Sequence, residues 1–125
     1  MNSLRMWTVE LPAGEALLNA NRRIHHHARA RLTRNLRGIA YWCVREAKVP
    51  HLERAHIVVE YRPPDRRRRD VHNLFPSAKA AVDGVVDAGV LTDDSDAYLI
   101  GPDMRLGAVE PGGRLVIHIT ELEGP

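Results

Sequence analysis

Three stretches of the chain alternate apolar and polar side chains with the two-residue period of a half-buried strand, and two others repeat with the period of a helix. Met6 to Leu11 sets Trp7, Val9 and Leu11 against Met6, Thr8 and Glu10, and Pro12 with Gly14 ends the run. Ala55 to Tyr61 sets Ile57, Val59 and Tyr61 against His56, Val58 and Glu60, and Pro63-Pro64 stops it. Arg114 to Glu121 sets Leu115, Ile117 and Ile119 against Val116, His118 and Thr120, after a turn at Glu110 to Gly113. Tyr98 to Leu106 reads as a less regular strand, broken by Gly101-Pro102.

From about Ala28 to Lys48, Leu32, Leu36, Ile39, Ala40, Cys43, Val44 and Ala47 fall on one side of an amphipathic helix. Thr33 is an alternative N-cap for it, and Pro50 closes the helical region. A second helix runs from Asn73 or Leu74 to Ala88, with Leu74, Ala78, Ala81, Val82 and Val85 inward. Asn73 is its expected N-cap, Pro76 is tolerable in its first turn, and Gly89 terminates it. The order β-α-β-α-β-β predicts an α+β fold, a mixed sheet packed by two helices, and 125 residues suit one domain.

Charge changes this picture, because the net +2 hides a polarity. Residues 21–69 hold thirteen Arg and one Lys against four acids, whereas residues 70–125 hold two Arg and one Lys against ten. A basic half beside an acidic half suits a protein that holds both a polyanion and a metal cation. The one cysteine, Cys43, leaves no intrachain disulfide and no cysteine metal site. No apolar run has the length of a membrane span and the first residues lack the apolar core of a signal peptide, so a soluble, cytoplasmic protein is expected.

Chemistry concentrates between Pro63 and Asp96. Arg66, Arg67, Arg68 and Arg69 stand directly before Asp70, a helix carrying Lys79 follows, and then come Asp93, Asp94 and Asp96. Arginine forks bind phosphate, and grouped carboxylates bind a hard divalent cation able to do phosphoryl chemistry. Four adjacent cations need a phosphate backbone or nearby carboxylates to screen them. Lys79 and Asp83 stand i, i+4 apart. Residues 13–27 lack a period and read as a loop with a basic rim that includes Asn19, Asn21, Arg22 and Arg23; Arg29, Arg31, Arg34 and Arg37 continue it into the first helix. His25, His26 and His27 are adjacent, and adjacent side chains diverge, so surface or phosphate-facing histidines are expected. Whether the acidic loop reaches Asp70 does not follow from spacing.

DRRRRDVHNL, the helix with Lys79, LTDDSD and the closing GGRLVIHITE resemble the RusA-type Holliday junction resolvases of phage and prophage origin, strongly from Pro64 to Glu121 and weakly before residue 55. The resemblance implies one RusA-like endonuclease domain over residues 1–125, a homodimer, Mg2+, branched DNA (a four-way junction) as partner, no membrane, no small-molecule cofactor, and paired symmetric nicks in recombination and repair. Asp70 matches the family's first catalytic aspartate and Asp94 its third. Lys79 matches its lysine if three residues around Phe75 to Ser77 are inserted. The family's second aspartate is His72 here. That exchange removes a charge and substitutes nitrogen for a hard oxygen, which favours Mn2+ over Mg2+. The catalytic set is then Asp70, His72, Lys79 and Asp94, the metal set Asp70, His72, Asp93 and Asp94, and the DNA-gripping set Arg66 to Arg69 with Arg22, Arg23 and Arg34. His72 acts as a ligand or general base, or Asp93, Asp96 or Asp103 supplies the missing carboxylate. The competing expectation is a weakened or inactive binder of branched DNA on the same scaffold.

Overall fold

The computed structural model describes residues 4–124. Its elements are β1 (Met6–Glu10), α1 (His26–Glu46), β2 (Arg54–Arg62), a 3-10 turn (Val71–Leu74), α2 (Phe75–Asp87), β3 (Leu99–Leu106) and β4 (Arg114–Leu122). The α+β order and the mixed sheet packed by two helices are as the sequence predicts.

The sheet order is β1-β4-β2-β3. β4 pairs antiparallel with both β1 and β2, and β2 pairs parallel with β3. A parallel pair needs a crossover, which α2 supplies. Trp7, Val9 and Leu11, then Ala55, Ile57 and Val59, then Leu115, Ile117 and Ile119 all turn toward the helices, so the expected strand faces hold. Ala40 and Val44 of α1 and Ala78, Ala81, Val82 and Val85 of α2 complete the core. The alanines let the helices lie close, and Gly84 closes the remaining gap: a Cβ there would run into the carbonyl oxygen of Arg37 and the Cβ of Ala40. Arg37 caps the same contact from outside, forking onto Asp87 at 2.5 and 2.8 Å.

Four local expectations change. α1 starts at His26, with His25 as N-cap accepting the His27 N–H through Nδ1. Thr33 is interior, and its hydroxyl donates to the Arg29 carbonyl. The helix stops before Pro50, because Lys48 adopts a left-handed φ of 56°. Asn73 caps nothing: Asp70 caps the 3-10 turn, and α2 follows directly from Leu74 without a side-chain cap. Gly101-Pro102 does not break β3. Pairing with β2 slips there, from His56 opposite Ile100 to Val58 opposite Asp103, and then resumes.

Candidate active site

Asp70 stands where the arginine loop meets α2. Its Oδ1 accepts the His72 N–H at 3.0 Å, which fixes the carboxylate at the mouth of the 3-10 turn. The His72 ring lies alongside, with Nδ1 3.3 Å from the same oxygen, and both side chains are exposed.

The four arginines divide in two. Arg69 is turned inward: its guanidinium donates to the carbonyls of Asp65 and Arg67, each at 2.9 Å, and to the Asp65 carboxylate at 2.7 Å. Arg67 donates to Asp65 through its backbone N–H and its side chain. The backbone N–H of Arg67, then the Arg69 and Arg67 side chains, hold the Asp65 carboxyl down to about 2. Asp65 is thus the neighbouring carboxylate that screens the run. Arg66 and Arg68 make no ion pair or hydrogen bond among the described residues and remain exposed to an incoming anion.

Lys79 lies on the second turn of α2 and donates to Asp83 at 2.9 Å, the expected i, i+4 contact. It also donates to Asp94. The acidic loop therefore doubles back along α2, by about 12 Å for the eight helical steps from Lys79 to Asp87. Val90 and Leu91, both buried, anchor its start. The hydrogen bond from Lys79 lowers the Asp94 pKa, and those to Asp94 and Asp83 raise that of Lys79 above its ordinary value. Lys79 is a cation at neutral pH and Asp94 an anion.

Asp93 and Asp96 are exposed, whereas Asp103 is engaged by His56 Nε2 at 2.5 Å. Among the described residues no three of Asp70, His72, Asp93 and Asp94 bring their ligating atoms within 4.8 Å of one another. The candidates divide instead: Asp70 stands with His72, while Asp94 is held by the Lys79 ammonium, which is not itself a ligand. Their chemistry fits a divalent cation: Asp70 keeps Oδ2 unengaged, and oxygen donors with one imidazole suit magnesium or manganese.

The loop before α1 is brought to Asp70 by contacts that periodicity does not reveal. The Ala20 N–H donates to the Asn73 carbonyl at 2.8 Å. Ser77, fully buried on α2, accepts the Leu18 N–H at 2.7 Å and donates to the Leu18 carbonyl at 2.8 Å. These two hydrogen bonds hold Asn19 and Ala20 beside Asp70 and Asn73. Arg22 and Arg23 follow on the exposed loop, and Arg22 lines a separate groove with Ile24, Arg31 and Leu32. Arg34 lies elsewhere, on a groove of α1 with Ile39 and Trp42. The three histidines converge, contrary to the divergence expected of adjacent side chains. His25 has an extended backbone (φ −57°, ψ 141°) before the helix begins, and the three rings lie 4.1–5.1 Å apart.

The chain is 44% identical over 62 residues to the crossover junction endodeoxyribonuclease rusA of Enterobacteria phage HK97, covering 48% of this chain and 46% of the phage protein. It is 42% identical over 66 residues to RusA of Escherichia coli strain K12, and 41% identical over 66 residues to rusA of Enterobacteria phage 82, in both cases covering 53% of this chain and 51% of the relative. Over that half, the chain is similar to RusA proteins. It spans about half the length of the curated relatives it matches. No family model matches it. No helix among the described residues is long and apolar enough to cross a membrane.

Proposed function

We propose that this chain is a divalent-metal-dependent, structure-selective endodeoxyribonuclease that resolves four-way DNA junctions by paired nicks, acting as a homodimer in the cytoplasm during recombination and repair. The observation that carries the reading is the pairing of Lys79 with Asp94, on the helix that Asp70 and the 3-10 turn lead into, within a chain similar to RusA.

Asp70, with His72, Asp93 and Asp94, would hold one or two divalent ions, Mg2+ or, given the imidazole of His72, Mn2+. A bound ion of this kind supplies an activated water and a polarised phosphoryl oxygen for in-line attack on a phosphodiester. Lys79 offsets negative charge building on the phosphate and holds Asp94 in place until DNA arrives. Arg66 and Arg68 take backbone phosphates, and Arg67 and Arg69 shape the loop that presents them. Arg22 and Arg23 extend the basic surface along the neighbouring loop, and Arg34 serves a more distant arm. A two-fold pair of such sites would face opposed strands of a nearly two-fold junction.

The test is cleavage of a synthetic four-way junction beside a matched linear duplex, in Mg2+, Mn2+ and EDTA. Symmetric nicks on the junction alone, abolished by EDTA, are expected. Tight junction binding with no cleavage in either metal would defeat the nuclease reading and leave a binder of branched DNA.

A further inference from the structure

Asp70 and Arg68 border a cleft of about 300 Å3 whose other walls, Asn19, Tyr61, Asn73 and Leu74, the proposed chemistry leaves unused. We infer that this cleft receives the nucleotide flanking the phosphate to be cut, and that Asn19 and Asn73 read its base. The inference rests on the nuclease reading for its place in a reaction, but nucleotide binding by the cleft is independent of it.

The wall carries three kinds of group that nucleotide binding uses. Arg68 is exposed and makes no hydrogen bond among the described residues, so its guanidinium is available to a phosphate. Tyr61 and Leu74 offer half-buried apolar and aromatic surface for the flat face of a base. The two amides supply donor and acceptor atoms for a base edge, the pattern by which asparagine discriminates among bases. At this size the cleft stands at the small end of ligand-binding pockets, and its lining is mostly polar, with Tyr61 and Leu74 as the apolar part.

The Asn19 amide is held in place, and so is the backbone that carries Asn73. Asn19 Oδ1 accepts the Asn21 N–H at 2.8 Å, which orients the side chain and leaves Nδ2 as a donor. Asn73 lies within the 3-10 turn, its N–H donating to the Asp70 carbonyl at 3.1 Å and its own carbonyl accepting from Ala20. The two residues are 54 positions apart, and the Ser77 double hydrogen bond to Leu18 fastens their segments together. Rigid, pre-positioned amides discriminate between ligands better than mobile ones, because less ordering is required on binding.

Two measurements decide it. In the first, the full chain is titrated without metal with each of the four deoxynucleoside 5′-monophosphates and with inorganic phosphate, and side-chain amide NMR signals are followed. The Asn19 and Asn73 amides are expected to shift with nucleotides, to different extents for different bases, and to stay still with phosphate. Absence of shifts, or equal shifts from all five ligands, would overturn the inference. In the second, junctions differing only in the base pair flanking the cut are cleaved by wild type and by Asn19→Asp, which keeps the Oδ1 acceptor but loses the amide donor. Wild type is expected to prefer one base about tenfold or more. The variant should lose that preference while binding all junctions more weakly and uniformly. A full preference retained in Asn19→Asp would refute the role of Asn19. If wild type cuts none of the junctions, the nuclease reading fails, and the nucleotide titration still decides the cleft.

Discussion

Lys79 donates a hydrogen bond to Asp94, fifteen residues further along the chain, and so draws the acidic loop back against α2. Removing the ammonium should cost more than a charge. Lys79→Ala is expected to lower junction cleavage by about 10²–10³-fold, as loss of a group that stabilises transition-state charge does. Junction binding should change little. The Asp94 carboxyl, released from its donor, should titrate nearer its ordinary value, which carboxyl carbon NMR would register. An Asp94 titration indifferent to the substitution would contradict the pairing. Because Asp94 and Asp83 raise the Lys79 pKa above 10.5, no alkaline fall in rate should arise from Lys79 below that pH.

Asp70 combines two tasks that substitution can separate. Oδ1 caps the 3-10 turn and Oδ2 is unengaged. Asp70→Asn keeps an oxygen for the cap, so its melting temperature should stay near that of wild type while cleavage is abolished. Binding to the junction should hold or tighten, since a repulsive charge is gone. Residual metal-dependent cleavage in Asp70→Asn, seen in a single-turnover gel assay, would remove Asp70 from the catalytic set.

The arginine run should not behave as four equal contacts. Arg66→Ala and Arg68→Ala are each expected to flatten the dependence of log affinity on log salt by about 0.9, the mark of one lost phosphate contact. Arg69→Ala should instead destabilise the fold by roughly 1–2 kcal/mol, through the lost hydrogen bonds to Asp65 and Arg67. Salt-dependent binding and chemical denaturation, run on the same variants, separate the two classes. Equal slopes for all three variants would mean the loop rearranges on DNA.

Acid should loosen the same loop. The folded-state pKa of Asp65 is lowered from 3.8 to about 2, so its contribution to stability is complete above the ordinary value and is lost as pH falls through the lowered one. Asp94, also lowered, follows the same sign. Melting temperature should therefore decline between about pH 4 and pH 2, and less steeply in Asp65→Asn. Parallel acid profiles for the variant and wild type would exclude the Asp65 contribution.

Gly84→Ala tests the helix contact. The added methyl meets a backbone carbonyl and Ala40, neither of which can turn aside. A loss of about 1–3 kcal/mol is expected from overpacking, offset only in part by the better helix propensity of alanine. Urea denaturation measures it directly.

The strands and helices could be read in advance because each keeps one period over enough residues to fix a face. Val9, Ile57, Val85 and Ile117 all lie where that reading puts them. Helix ends were less readable, since Asp70, Asn73 and Thr33 all carry capping side chains and only the path of the chain selects among them. The candidate site divides likewise. Lys79 and the aspartates stand out by type and spacing, but Asn19 does not, because its position depends on a buried serine 58 residues away. The unequal arginines were also hidden, since nothing in a run of four identical residues says which guanidinium Asp65 will hold.

β4 is the last of the four strands among the described residues, yet it occupies an inner position of the sheet, between β1 and β2. β1 therefore has no strand to pair with until residues 114–122 have left the ribosome. A chain interrupted in synthesis would carry the arginine loop and Asp70 but lack the sheet that supports them. Chains cut short within β4 should accordingly yield material for proteolysis.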